Sequence, residues 1–126
     1  MVARIVVPGR PVPLARPRVT GRGTYLPARS QEYRERCRVA WLEAGRPTFG
    51  DQPLRVAMLF ELPRPRRAKP VPCGRPDISN LAKAVEDALD GLAWRDDAQI
   101  VTLSASKVWG DPPGRTIVTI MGAGGA

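Results

Sequence analysis

Apolar residues alternate with other types along residues 54–62, a stretch rich in Val, Leu and Phe, and that period of two predicts a strand. Residues 3–7, Ala-Arg-Ile-Val-Val, predict a first strand, ended by Pro8 and Gly9. Tyr25 and Leu26 form a candidate short strand. Residues 99–108 and 115–120 read as two more strands, joined as a hairpin by the turn 110–114, Gly-Asp-Pro-Pro-Gly. Two stretches carry the other period. Ser30 reads as the N-cap of a helix running to about residue 44, with Tyr33, Cys37, Ala40 and Trp41 as its buried stripe and Gly45 and Pro47 closing it. A second helix spans 78–90 and stops at Gly91, with Leu81, Val85, Ala88 and Leu89 on the side facing the sheet. The order strand, helix, strand, helix, strand, strand predicts an α+β fold: one mixed sheet with two main helices packed on it.

Between these elements lie two segments of a different kind. Residues 9–22 place Arg10, Arg16, Arg18 and Arg22 among prolines, and residues 63–76 hold five prolines and five basic residues in fourteen positions. The first should be extended, and the second can be neither a helix nor a central strand, because proline lacks the N–H and locks φ. Both are basic loops. Residues 122–126 predict a flexible tail after a single domain at 1–121, and the chain contains no internal repeat.

Composition narrows the chemistry. Lys and Arg outnumber Asp and Glu 20 to 12 in 126 residues, a net charge of +8, so a polyanion such as nucleic acid is the expected partner. The absence of histidine excludes imidazole bases, nucleophiles and ligands. Cys37 and Cys73 form no metal or disulfide pattern and are expected as reduced thiols. No apolar run approaches the ~20 residues of a membrane helix, and the N-terminus lacks a signal peptide's apolar region. A soluble, cytoplasmic protein is expected. The charge is also uneven. Residues 1–76 carry 16 basic and 5 acidic side chains, whereas 77–126 carry 4 and 7, with Asp77, Glu86, Asp87, Asp90, Asp96 and Asp97 close together. Acid inside a basic protein suits divalent cations. It equally suits a solvated acidic helix.

On the second helix Asn80, Lys83, Asp87 and Asp90 fall within roughly 80° of one another on the polar side. Asp77 stands at the helix start. If the strand that follows Asp96 and Asp97 lies beside that start, Asp77 and Asp97 can converge. Carboxylates holding Mg²⁺, with a lysine nearby, are the parts needed to hydrolyse a phosphodiester. Each residue also has a plain role open to it. Asp77 can cap the helix, Lys83 and Asp87 can form a surface ion pair, and Asp96 and Asp97 can shape a turn.

The run Arg75-Pro-Asp77-Ile-Ser-Asn80-Leu-Ala-Lys83-Ala-Val-Glu-Asp87-Ala-Leu89-Asp-Gly91, followed by Asp96-Asp-Ala-Gln-Ile100, resembles the core motif of the RusA-type Holliday junction resolvases. Gly9-Arg-Pro11 with Arg16-Pro-Arg18, Tyr33 in the first helix and Lys107 in the strand after the acidic pair extend the similarity over nearly the whole chain. The resemblance implies a small homodimeric endodeoxyribonuclease that depends on Mg²⁺, with Mn²⁺ as a substitute, and nicks four-way DNA junctions in recombination and repair. It suggests a phage or prophage setting. It implies that Asp77, Lys83 and Asp97 are catalytic, that Asp77, Asp97 and Asp96 hold the metal, and that Ser79, Asn80 and Asp87 support them. The sequence departs from the pattern at Ser79, where the best-studied members carry a further aspartate. A serine hydroxyl can act there through a bound water, or Asp96 or Asp87 can contribute more. The alternative function is a non-catalytic or weakly active branched-DNA-binding protein on the same fold.

Arg10, Arg16, Arg18, Arg64, Arg66, Arg67, Lys69, Arg75 and Lys107 are the expected DNA contacts. Only seven aromatic residues are present, too few for a single-strand stacking platform, so phosphate-tracking recognition of duplex arms is expected. A four-way junction has approximate two-fold symmetry, which a C₂ dimer matches.

Overall fold

Strand β1 (Val2–Pro8) shows the predicted alternation, with Ala3, Ile5 and Val7 buried and their neighbours exposed. Strand β4 (Leu54–Pro63) does the same through Leu54, Val56, Met58, Phe60 and Leu62. These sit in a computed structural model that describes residues 2–15, 18–21, 23–45 and 48–123, with only the backbone described at 18, 20, 24 and 25. Arg16, Arg22, Pro47 and residues 124–126 therefore lie outside the described residues, as does the side chain of Arg18. The remaining elements are β2 (Arg18–Thr20), β3 (Gly23–Tyr25), α1 (Ala28–Glu43), α2 (Ile78–Leu89), β5 (Ile100–Gly110) and β6 (Arg115–Gly122). A single 3₁₀ turn, Asp97–Gln99, precedes β5.

The four long strands form one mixed sheet in the order β1-β6-β4-β5, and β2 and β3 pair as a small separate hairpin. Strand β6 is antiparallel to both β1 and β4, whereas β4 and β5 are parallel. Register partners share a face: Ile5 lies opposite Val118, Val118 opposite Met58, and Met58 opposite Ala105. That face packs with Tyr33, Cys37 and Trp41 of α1 and Leu81, Val85 and Leu89 of α2 into one core, so both helices cover the same side of the sheet. The α+β architecture expected from the sequence is present.

Local expectations differ in several places, the first being that the 9–22 loop contains β2, paired with a β3 that ends at Tyr25 and leaves out Leu26. Strands β5 and β6 do not pair as a hairpin, because β4 stands between them. A parallel β4-β5 pair needs a crossover, and α2 supplies it. The short 110–114 connection then passes over the end of β4. Gly114, at φ 92°, comes so close that a Cβ there would lie 2.3 Å from the Glu61 carbonyl oxygen. Helix α1 starts two residues before Ser30, after Pro27, and Ser30 is buried in its first turn. At the tail, Gly122 still belongs to β6, and the Ala123 N–H donates to the Pro53 carbonyl at 2.8 Å.

Helix α2 is strongly two-faced. Leu81, Ala82, Ala84, Val85, Ala88 and Leu89 are buried, while Ser79, Asn80, Lys83 and Asp87 are exposed. It lies against α1 through an Arg34–Asp87 ion pair at 3.7 Å and a hydrogen bond from Arg38 to the Ala88 carbonyl at 3.1 Å. Buried polar groups in the core are matched. The Tyr33 and Thr116 hydroxyls share a 2.5 Å hydrogen bond that ties α1 to the sheet. Both cysteines are free, Cys37 buried and Cys73 exposed. No helix among the described residues is long and apolar enough to cross a membrane.

Candidate functional site

The crossover dictates where the acidic residues go. Since β5 runs parallel to β4, α2 must run back against both. Its N-terminus therefore lies by the far end of β5, and its C-terminus by the start of β5. Each end has its own surroundings.

At the N-terminal end stands Asp77, the N-cap residue by backbone geometry, yet its side chain makes no capping hydrogen bond. The plain role open to it in the sequence is thus not the one it fills. Its carboxylate is exposed and uncommitted. Around it the two basic loops meet. The first is tied to α2 by a hydrogen bond from the Leu14 N–H to the Asn80 carbonyl at 3.0 Å. Arg36 fixes its start by donating to the Pro8 carbonyl at 2.7 Å. The second loop leads directly into Asp77. A groove of about 440 Å³ lies between them, lined by Arg10, Arg29, Arg75, Asp77 and Asn80. A neighbouring groove of about 400 Å³ shares Arg10 and Arg75 and adds Arg64 and Trp109. Three arginines thus share a groove with one free carboxylate, and Arg64 lines the next groove. Arg29 is absent from the sequence reading, since nothing in the pattern distinguishes it from any other exposed helix residue. Arg66, Arg67 and Lys69 are exposed on the same loop, and none of them is in an ion pair.

At the C-terminal end the carboxylates are crowded. Asp97 accepts a hydrogen bond from the Trp94 indole at 2.7 Å, and its own N–H donates to Asp90 at 3.1 Å. Trp94 is fully buried, so it acts as a fixed donor that orients Asp97. Partial burial raises the Asp97 pKa above the ordinary carboxylate value, and Asp90, Asp96 and Asp87 add repulsion against the Trp94 hydrogen bond that lowers it. Glu86 is raised too, by burial first and then by Asp97, with Lys83 opposing. Asp96 caps the 3₁₀ turn: it accepts from the Ala98 N–H at 2.8 Å, and Gln99 closes the capping box. Gln99 also donates to the carbonyls of Gly50 and Gln52, which locks this corner to the loop before β4.

Asp77 and Asp97 are therefore separated by the length of α2. Its 12 residues span about 18 Å at 1.5 Å per residue. Within one chain they do not converge, because the strand that follows Asp97 begins at the wrong end of the helix. No group of three or more potential metal ligands is gathered among the described residues. Ser79 and Asn80 lie at the Asp77 end, and Lys83 lies between the two ends on the exposed face. Lys83 is not the ion-pair partner of Asp87, which pairs with Arg34 instead. Lys107, expected as a DNA contact, spends its ammonium on two backbone carbonyls, Gly74 at 2.8 Å and Pro76 at 3.0 Å.

The chain thus has a two-helix, mixed-sheet domain with a free aspartate in an arginine-lined groove. The sequence profile described as Endodeoxyribonuclease RusA matches residues 8–121, and the chain belongs to that family of DNA-hydrolysing enzymes. A stretch of 42 residues is also 43% identical to the uncharacterized protein YqaN of Bacillus subtilis (strain 168). That stretch covers 33% of this chain and 30% of YqaN.

Proposed function

We propose that this chain is a Mg²⁺-dependent, structure-selective endodeoxyribonuclease that nicks four-way DNA junctions in recombination and repair, acting as a homodimer. The observation that carries the reading is the Asp77 carboxylate, uncapped and exposed, in a groove lined by Arg10, Arg29 and Arg75. The guanidinium groups suit phosphate oxygens, and a lone carboxylate among them suits a cation shared with the phosphate.

The residues present fit Mg²⁺ on one condition. This ion takes one or two carboxylates and fills its remaining positions with water and phosphate oxygens. Asp77 can supply one carboxylate and Asp97 the second. Since they stand a helix length apart, both can reach one phosphodiester only if they come from two copies of the chain. The separation thus supports the homodimer and gives it a chemical role beyond matching the junction's symmetry. Bound there, the ion would lower the pKa of a coordinated water and offset charge on the phosphate. Trp94 holds Asp97 in place, and Lys83, unpaired on the exposed face, is placed to stabilise charge building on the phosphate oxygens. Asp96 has one oxygen engaged in its cap and offers the other. Asp87, paired with Arg34, fixes the helices and not the ion. The basic loop hands the DNA backbone to Asp77.

Cutting of synthetic four-way junction, Y-fork and linear duplex in Mg²⁺ tests the proposal. Paired nicks in the junction alone are expected. Equal cutting of all three would remove the structural selectivity. Tight junction binding with no nicks, even in Mn²⁺, would establish the alternative of a branched-DNA-binding protein in which Ser79 marks the lost carboxylate.

A further inference from the structure

The proline-rich loop before α2 is held at several points by one strand end. The Arg64 N–H donates to the Gly110 carbonyl at 3.2 Å, the Trp109 indole donates to the Lys69 carbonyl at 2.8 Å, and the Lys107 ammonium donates to Gly74 and Pro76. We propose that Lys107 is a positioning residue: together with Trp109 it staples this loop to the end of β5, and so sets where the loop's arginines and Asp77 face the DNA. The inference rests on the nuclease reading for its functional consequence, but not for the staple itself.

The chemistry of the loop explains why outside donors are needed. Five of its fourteen residues are prolines, which carry no N–H, so it cannot build a hydrogen-bond ladder of its own. Its carbonyls remain, and they must accept from elsewhere or from water. Lysine offers three donors on a flexible stem, enough to hold two carbonyls at once. Lys107 and Trp109 are two residues apart on β5, opposite Phe60 and Leu62 of β4, so both point to the helix side. Phe60 is fully buried, and Lys107 beside it is partly buried while its ammonium reaches the loop. The ordering cost of the loop is thereby met on folding and not on binding, which leaves Arg64, Arg66, Arg67 and Arg75 preorganised for phosphate. The same geometry commits two of the three Lys107 donors to the loop, so its ammonium is held at these carbonyls and not at a phosphate.

Trypsin reads the staple without any nuclease activity. Arg64, Lys69 and Arg75 each precede proline, which blocks trypsin, so the loop can be cut only after Arg66 and Arg67. Lys107→Met should raise the cutting rate there at least tenfold in the otherwise folded protein, and Lys107→Arg, which keeps several donors, should restore resistance. Trp109→Phe keeps a smaller aromatic side chain and removes the indole N–H, and should act in the same direction. It tests the staple should Lys107→Met fail to fold. For DNA, Lys107→Met should lower single-turnover cutting tenfold or more and leave the salt slope of junction binding unchanged. An unaltered trypsin rate in both variants, or a slope reduced by about 0.9 in Lys107→Met, as for one lost phosphate contact, would overturn the proposal. Wild-type protein that never cuts DNA would defeat the nuclease reading while leaving the trypsin result standing.

Discussion

Replacing Arg64, Arg66, Arg67 and Lys69 together by alanine should remove a large share of the electrostatic binding while leaving the fold alone. All four side chains are exposed and none makes an ion pair. The loop's attachment to Trp109 uses the Lys69 carbonyl, which alanine retains. If each cation displaces one counterion from duplex DNA, the slope of log affinity against log salt should fall by about 0.9 per contact, or about 3.6 in all. Between about 50 and about 200 mM salt, a fourfold range, the loss of affinity on adding salt should shrink by about 10²-fold. The effect should be the same for four-way, forked and linear DNA, because phosphate contacts carry no sequence. Fluorescence anisotropy with labelled DNA across a salt series measures the slope, and thermal unfolding of the same samples should move by no more than about 2 °C. A slope unchanged within half a unit would mean that the loop merely solubilises the protein, and the placement of its arginines around Asp77 would lose its meaning.

Lys83→Ala should slow single-turnover cutting by about 10²-fold with little change in junction affinity, whereas Lys83→Arg should rescue only partly, since guanidinium places its charge differently. A wild-type rate at saturating enzyme would remove Lys83 from the chemistry. Tyr33→Phe leaves the fully buried Thr116 hydroxyl without a partner, at a cost of about 2 kcal/mol. In a chain of 126 residues this should lower Tm by about 8 °C, and adding Thr116→Val should recover part of the loss. Burial pushes the Cys37 thiol up to about 12, from 9.0 when free. The folded state then holds its proton more tightly, so stability should fall as pH rises from about 9 toward 12. A thiol reagent should label exposed Cys73 at once and Cys37 only on unfolding, and rapid labelling of both would contradict the burial.

The elements were legible because their signals are local. The two-residue period of β4, the apolar stripe of α2 and the break at Gly91 depend only on neighbours a few positions away. The family motif pointed to Asp77, Lys83 and Asp97, which the structure spreads along the length of α2. What the sequence did not carry was partnership between distant segments. The Gly-Asp-Pro-Pro-Gly connection resembles a hairpin turn, and nothing within it says that β4 will stand between its two strands. Asp97 stays at the C-terminal end of α2, tied to Asp90, and β5 runs from there along β4 to end near Asp77. The role of Lys107 was hidden for the same reason, since a lysine in a strand looks the same whether it meets a phosphate or a carbonyl. At Asp77 the ambiguity was of another kind. Aspartate at a helix start usually caps, and only the geometry distinguishes a capping carboxylate from a free one.

Whether Asp77 and Asp97 serve one phosphodiester across two copies is tested most directly by mixing two inactive proteins. Asp77→Asn and Asp97→Asn should each abolish cutting and retain junction binding. In a mixed dimer with shared sites, one site collects both asparagines and the other keeps both aspartates. Dissociating the two variants, reassociating them together and measuring nicks in a labelled four-way junction should therefore restore one active site in each mixed dimer. If each site is built within one chain, every site in the mixture carries one asparagine, and no activity returns. Restored nicking is the predicted result. A mixture as inactive as its components, with mixed dimers shown to have formed, would contradict the shared site.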